Sequence, residues 1–322
     1  MPATITHAYF VNDVYDKLPD NIKELIDLKR CKTFGQSTDS LMFYNLFTLA
    51  KGKDIRKFHK TFHDNNTKDF FLNLIRYIKD NNIKDTDTYS FLVGFICHFV
   101  LDSTIHPYII YKSGKFKRTD PSTYKYNNQH AFMESFLDMD MIHRREGINP
   151  YKYNLNNNIF DLRVFSKDLD NTINNTFYKT FKINNMSKIY YKSLKQMRYS
   201  LNIFRRDSYG IKKGVYKFFD LITPRNTFRF EAISYHVPLE DKRNYLNDIH
   251  NIWRYPTNYD ITSNESFIDL YVKSIDIAYN LICSSFDYFN DKDIELDKVF
   301  NNNSYITGVD CNLKEELKYF EF

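Results

Sequence analysis

Residues 94–106 read GFICHFVLDSTIH and set a histidine and an aspartate four apart inside an apolar run. At helical periodicity, His98 and Asp102 share one face. Phe91, Leu92, Val93, Phe95, Ile96, Phe99, Val100 and Leu101 leave this helix no polar side, so the pattern predicts a helix buried all round. A buried carboxylate without a partner is very costly, and either a salt bridge or a metal ion would satisfy Asp102. His106 follows one turn later and Pro107 closes the segment, which predicts a helix over 89–105 with caps drawn from 85–88.

Upstream, Ala8, Phe10, Val11, Val14 and Leu18 repeat at a helical period over 5–18, with His7 near the start and Pro19 as the stop. A short helix is expected over 21–28, turning Ile22, Leu25 and Ile26 inward. The stretch FGQSTDSLMFYNLF (34–47) opens as a polar turn and becomes apolar, and Asp39 at its junction has the position of a helix N-cap. Residues 56–79 read as one helix or a broken pair, with His59 and His63 four apart and Phe62, Phe70, Phe71, Leu74, Ile75 and Ile78 inward. Phe43, Tyr44, Phe58 and Phe62 either line an apolar pocket beside the ligand candidates or belong to the core.

Downstream, 111–128 is a lysine- and tyrosine-rich connector whose charges are expected to be solvated. HAFMESFLDMDMIHRR (130–145) restores helical period, with His130, Glu134 and Asp138 on one stripe and Phe132, Phe136, Leu137 and Met141 buried. Seven of the nine histidines precede residue 144, so 1–149 reads as a metal-binding helical core. Residues 150–322 read as a mostly helical, structural part packed on that core as one domain. Tyr190, Leu194, Met197, Leu201 and Phe204 mark one helix there, starting near Ser187. Thr262 and Glu265 form a T-x-x-E capping box before Phe267, Leu270, Tyr271, Ser274, Ala278 and Leu281. FRFEAISYHV (228–237) is either a strand or irregular.

Composition narrows the class. Twenty-nine Phe and 26 Tyr with only eight Gly and eight Pro in 322 residues favour long helices over a turn-rich β architecture, so the fold class expected is all-α. A net charge of +5 from dispersed lysines argues against a stable nucleic-acid partner. The start MPATITHAYFVND lacks signal-peptide features, and no apolar run reaches the roughly 18–20 residues of a spanning helix, so a cytoplasmic protein is expected. Cys31, Cys97, Cys283 and Cys311 lack CxxC spacing and read as reduced thiols. No phosphate-binding glycine loop, GxSxG elbow or internal repeat is present.

The candidate ligands are His7, Asp39, His63, His98, Asp102, His106, His130 and Glu134, with His59 as an alternative to His63. Imidazole and carboxylate donors without thiolates suit zinc in a catalytic setting, and two His/carboxylate i, i+4 pairs can face each other across a bundle. The ordinary alternative is a set of core histidines paired with acids.

The succession THAYF (6–10), FGQSTDSLMFY (34–44), FHDNNTKDFF (62–71), GFICHFVLDSTIHPYI (94–109) and HAFMESFLD (130–138) resembles the zinc-dependent phospholipase C family, which is related in fold to single-strand-specific zinc nucleases. HNIWRYPTNYDITSNESFIDLY (250–271) resembles the C-terminal half of its cytoplasmic bacterial members. The resemblance implies a multi-helical bundle with two or three zinc ions in one cleft. It assigns Asp39, His63, His98 and Asp102 to one ion, Asp102 as a bridge to a second also held by His7, and His106, His130 and Glu134 to a third. Secreted members use an N-terminal Trp at the second ion, where this sequence has Met1-Pro2. The implied activity is hydrolysis of a phospholipid or other phosphoester by a metal-bound hydroxide, with Asp39 or Glu134 as acid/base and transient contact with a membrane surface. The rival readings are a related nuclease or phosphatase and a metal-stabilised, non-catalytic binding protein.

Overall fold

The computed structural model describes residues 4–48, 51–227 and 229–321. In chain order its helices are α1 (Thr4–Lys17), α2 (Asp20–Lys23), α3 (Leu28–Phe34), α4 (Lys53–Asp64), α5 (Thr67–Asp80), α6 (Thr86–Ser113) and α7 (Gln129–Glu146). Then follow α8 (Leu155–Asn158), α9 (Lys167–Phe181), α10 (Met186–Phe204), α11 (Ile211–Ile222), α12 (Phe267–Phe289) and α13 (Leu296–Val299). A 3-10 helix spans Ser37–Phe43, and among the described residues one antiparallel hairpin pairs β1 (Trp253–Tyr255) with β2 (Asn258–Ser263). The fold is an all-α bundle.

The bundle is built around α6, which packs against α1, α3, α7, α9, α12 and β1. Asp85 starts it by accepting the Thr88 amide. The helix runs eight residues beyond the predicted end, straight through Pro107. Proline removes one backbone donor and frees the Ser103 carbonyl. The chain at Gly308 lies over this point so closely that a Cβ there would sit 2.6 Å from the Ser103 oxygen and 3.0 Å from Pro107, so tertiary packing overrides the break. The helix is also long and apolar enough to cross a membrane, although scattered polar residues break its apolar run short of the roughly 18–20 residues considered above. Yet most of it is buried inside the protein.

Local chemistry moves other boundaries. Asp27 accepts the Lys29 and Arg30 amides and so starts α3 at Leu28, splitting the helix predicted over 21–28. Asn66, at a left-handed φ of 54°, separates α4 from α5. The capping box of α12 is Ser266/Asp269 in place of Thr262/Glu265, since Thr262 is spent in the hairpin opposite Arg254. Around the segment read as strand or irregular, Glu231–Ile233 is a short 3-10 turn, and Phe228 lies outside the described residues. Lys112, expected to be solvated, is buried and bound to Glu321. Met133 takes the core place expected of Phe132, which is half-buried.

The main core joins Phe10, Phe62, Phe95 and Phe99 from the first half with Phe177, Tyr190, Tyr271 and Tyr305 from the second. Phe58 and Phe62 belong to it, and Phe43 to a smaller cluster with Ile5, Met139 and Leu201. Tyr44 is half-buried under the Lys192 ammonium.

Candidate metal centre

Three turns of α6 present His98, Asp102 and His106 along one face. Gly94, one turn before His98, lets α3 approach so closely that a Cβ there would lie 2.7 Å from the Cys31 oxygen and the Gly35 nitrogen. That approach brings the Gly35 carbonyl 2.8 Å from His98 Nδ1. A carbonyl only accepts, so Nδ1 carries the proton and the Nε2 lone pair is left for another partner. His98 Nε2 lies 3.1 Å from Asp102 Oδ2 and 3.6 Å from Asp39 Oδ2.

His7 comes from the first turn of α1, stacks on His98 at 4.2 Å and brings Nε2 to 3.2 Å from Asp102 Oδ1. Its place is fixed by Asp138 of α7, which does not join the ligand candidates. The Asp138 carboxylate accepts the amides of Ile5 and Thr6 and the Thr6 hydroxyl at 2.7–3.1 Å, acting as an anionic cap on α1. Tyr235 donates to it at 2.8 Å and Arg205 lies at 3.3 Å.

Asp39 lies within the 3-10 helix Ser37–Phe43 and caps nothing, in contrast to its N-cap reading. The backbone there turns it inward, and neither carboxylate oxygen has a hydrogen-bond partner. His59 Nδ1 stands 3.1 Å and His63 Nε2 3.5 Å from its Oδ1. His106 Nδ1 donates to the Tyr305 carbonyl at 2.9 Å, leaving Nε2 3.5 Å from Glu134 Oε1. His130 Nε2 reaches the same oxygen at 2.8 Å.

The eight predicted ligands, with His59, therefore fall into three converging groups: His7, Asp39, His98 and Asp102; Asp39, His59 and His63; His106, His130 and Glu134. Within each, the donor atoms lie within 4.8 Å of one another. Compared with the sequence assignment, His63 stands with His59 and Asp39, and Asp39 is common to two groups. Asp102 stands between His7, His98 and His106.

The electrostatics follow from this crowding. Although burial opposes it, the imidazoles of His98 and His59 hold the Asp39 carboxyl down at about 2. His106, His98 and His7 likewise hold Asp102 well below the ordinary range against its burial. Burial also opposes ionisation of Glu134, yet His130 and His106 push it well down. His106 is raised to about 9 by Asp102 and Glu134, against the effect of its burial. Burial and the neighbouring His59 push His63 well down, keeping it neutral.

These residues fit metal ions, as their own unsatisfied atoms indicate. His7 Nδ1, both Asp39 oxygens, His59 Nδ1, His98 Nε2 and Asp102 Oδ2 are buried without hydrogen-bond partners. Native interiors leave few such atoms, and concentrating them in one place calls for a cation. Nitrogen and carboxylate donors without thiolate, with ring orientations fixed by the Gly35 and Tyr305 carbonyls, suit zinc.

The groups open onto a cleft of about 370 Å³. Lys60 and Lys115 line it beside the ligands, and Met42, Ile110, Phe116, Ile306 and Leu317 supply apolar wall. Two of these wall residues, and Tyr305, come from the C-terminal part read as merely structural. Tyr305 does most: its ring stacks on His63 at 4.6 Å, its amide donates to the His63 carbonyl at 2.9 Å, and its own carbonyl orients His106. No sequence signal marks this role, because any residue type offers a backbone carbonyl.

A family model described as zinc-dependent phospholipase C matches residues 6–187, more than half of the chain. No curated protein and no solved structure matches.

Proposed function

The chain belongs to the zinc-dependent phospholipase C family, and from that premise we propose that it hydrolyses phospholipid-type phosphoesters with zinc held in this cleft. The observation that carries the proposal is the convergence of three His/carboxylate groups on one cleft that also has lysines and an apolar wall. The three groups are the proposed ligand sets, for two or three ions. Bound zinc supplies Lewis acidity toward a phosphate oxygen and lowers the pKa of water to about 7.

The chain's own residues do the rest. Lys60 and Lys115 attract the phosphate charge, and Met42, Ile110, Phe116, Ile306 and Leu317 accept the glycerol and acyl end of the substrate. Asp39 is held ionised at about 2, so of the two acid/base roles only that of a weak base is open to it. Glu134 is ionised too and is bound to His130, so neither acid donates to a leaving group before first taking up a proton. Four unpaired thiols fit a reducing compartment, which supports a cytoplasmic location.

Metal analysis of protein purified without chelator, followed by turnover of a short-chain phospholipid, a nucleotide monoester and single-stranded DNA, tests the reading. It predicts zinc-dependent release of the phosphorylated head group, lost in Asp102→Asn. Exclusive cleavage of DNA or of the monoester would replace it with the nuclease or phosphatase reading. Zinc with no turnover on any substrate would leave a metal-stabilised binding protein.

A further inference from the structure

Helix α11 inverts the usual amphipathic arrangement. None of its residues is buried. Ile211, Val215, Phe218, Phe219 and Ile222 fall at i, i+4, i+7, i+8 and i+11, a single apolar stripe extended by Leu221. This stripe faces water, with Leu221 at 81%, Ile211 at 66% and Phe218 at 60% exposure. The polar face is the one turned to the protein. Asp207 caps the helix through the Lys212 and Lys213 amides, and the Tyr216 hydroxyl donates to the Phe204 carbonyl. Asp220 accepts the Phe230 and Glu231 amides. The helix is therefore held to the molecule by its polar side with its apolar side presented outward.

The surroundings indicate what covers that stripe. Leaving out Arg205, which is buried on Asp138, residues 206–229 carry six basic and two acidic side chains, and Lys213 and Lys217 lie along one edge of the stripe. Antiparallel pairing of two copies through this face would bring the same lysines together across the two-fold axis, whereas an anionic surface neutralises them. An apolar stripe bordered by lysines is the composition of a helix that lies in a bilayer interface. The position also suits the cleft. Beyond α11 the carbonyls of Arg225 and Thr227 accept from Asn127, three residues before His130. On the other side Phe204 stacks with the exposed Phe47, in the segment that follows Asp39.

We propose that α11 is an interfacial docking helix, which seats its apolar stripe in the surface of an anionic phospholipid bilayer and brings the metal cleft to the membrane. The helix lies outside the stretch matched by the family model. The proposal deepens the phospholipase reading, and its consequence for turnover rests on that reading, but docking is measured without turnover.

The test is co-sedimentation of the metal-loaded full chain with vesicles of phosphatidylcholine containing phosphatidylglycerol, and with phosphatidylcholine alone. The wild type is expected to bind the anionic vesicles preferentially and more weakly as salt rises. Phe218→Ser/Leu221→Ser should lower vesicle affinity at least about tenfold with unchanged thermal melting, because both side chains already face water. Lys213→Glu/Lys217→Glu should remove the preference for anionic lipid. On a monomeric short-chain phospholipid both variants should turn over like the wild type, and on vesicles less. Equal vesicle binding by wild type and the Phe218/Leu221 variant, no binding by either, or equal binding to neutral vesicles would overturn the proposal. So would a wild-type dimer in sedimentation that the variant abolishes, which would assign the stripe to a second copy. Failure to cleave either substrate while docking persists would count against the phospholipase reading alone.

Discussion

Asp87 and Asp102 sit on the same helix, about four turns apart, and both are buried. Around Asp87 the chain is complete: Arg30 donates from Nε at 2.9 Å and Nη2 at 2.5 Å, and Arg163 adds a contact at 3.2 Å. Arg30 in turn spends Nη1 on the carbonyls of Asp161 and Arg163. Asp102 instead faces three imidazoles, and its Oδ2 has no hydrogen bond. The two sites differ in whether the protein itself supplies the compensating charge in a fixed geometry. Burial alone does not separate them; the saturation of the partners does.

The largest expected effect breaks this comparison at Asp102. Asp102→Asn should release the zinc held with His7, Asp39 and His98 and lower phosphoesterase turnover by at least about a thousandfold, measured by metal analysis and steady-state kinetics. At the other site, Arg30→Met should leave Asp87 buried without its fork and lower stability by about 3–5 kcal/mol in denaturant unfolding, with zinc content unchanged. Replacing both partners, Arg30→Met with Asp87→Leu, should recover much of that loss, since no buried charge remains.

Asp138 sharpens the contrast, because it is buried and yet serves the metal centre indirectly. Burial outweighs Arg205 and raises its carboxyl from the usual value. Asp138→Asn should weaken the cap on α1, displace His7 and reduce zinc affinity by about 10–100-fold while His106, His130 and Glu134 keep their ion. Competition with graded chelators would resolve the two classes of site. Uniform weakening of all sites would mean that Asp138 supports the fold as a whole.

The smallest effect is on pH dependence. In the metal-free protein His106 is raised from 6.5 to about 9, and His98 is raised as well. Groups raised in the folded state stabilise it fully below their unfolded value and lose that contribution as pH climbs through the folded one. The melting temperature of stripped protein should therefore fall between pH 6.5 and 9. Zinc requires the neutral rings, so the gap between loaded and stripped protein should widen over the same range, a trend that scanning calorimetry reads directly.

The same distinction explains what was legible in the sequence. The ligands of α6 and α7 were readable because i, i+4 spacing survives any tertiary arrangement, and an apolar surround marked α6 as buried. Asp138 lay on the same stripe as His130 and Glu134, but periodicity does not say where one turn of a helix stops facing a cleft and starts facing the end of α1. Pro107 was read by its local preference, which the Gly308 loop overrides. Asp39 matched a cap by composition and was turned inward by a 3-10 backbone. His59 and His63 were indistinguishable by spacing, and both face Asp39. The Tyr305 carbonyl, 199 residues from His106, and the outward stripe of α11 are products of packing alone.

On this reading Asp102 completes its environment with a metal ion and Asp87 with protein. The decisive comparison is zinc per folded chain in wild type, Asp87→Asn and Asp102→Asn, prepared side by side without chelator. Roughly two to three zinc ions are expected in the first two, and in the third loss of at least the ion held by His7, Asp39, His98 and Asp102. Less than about one zinc in the wild type, or equal loading of all three proteins, would contradict it.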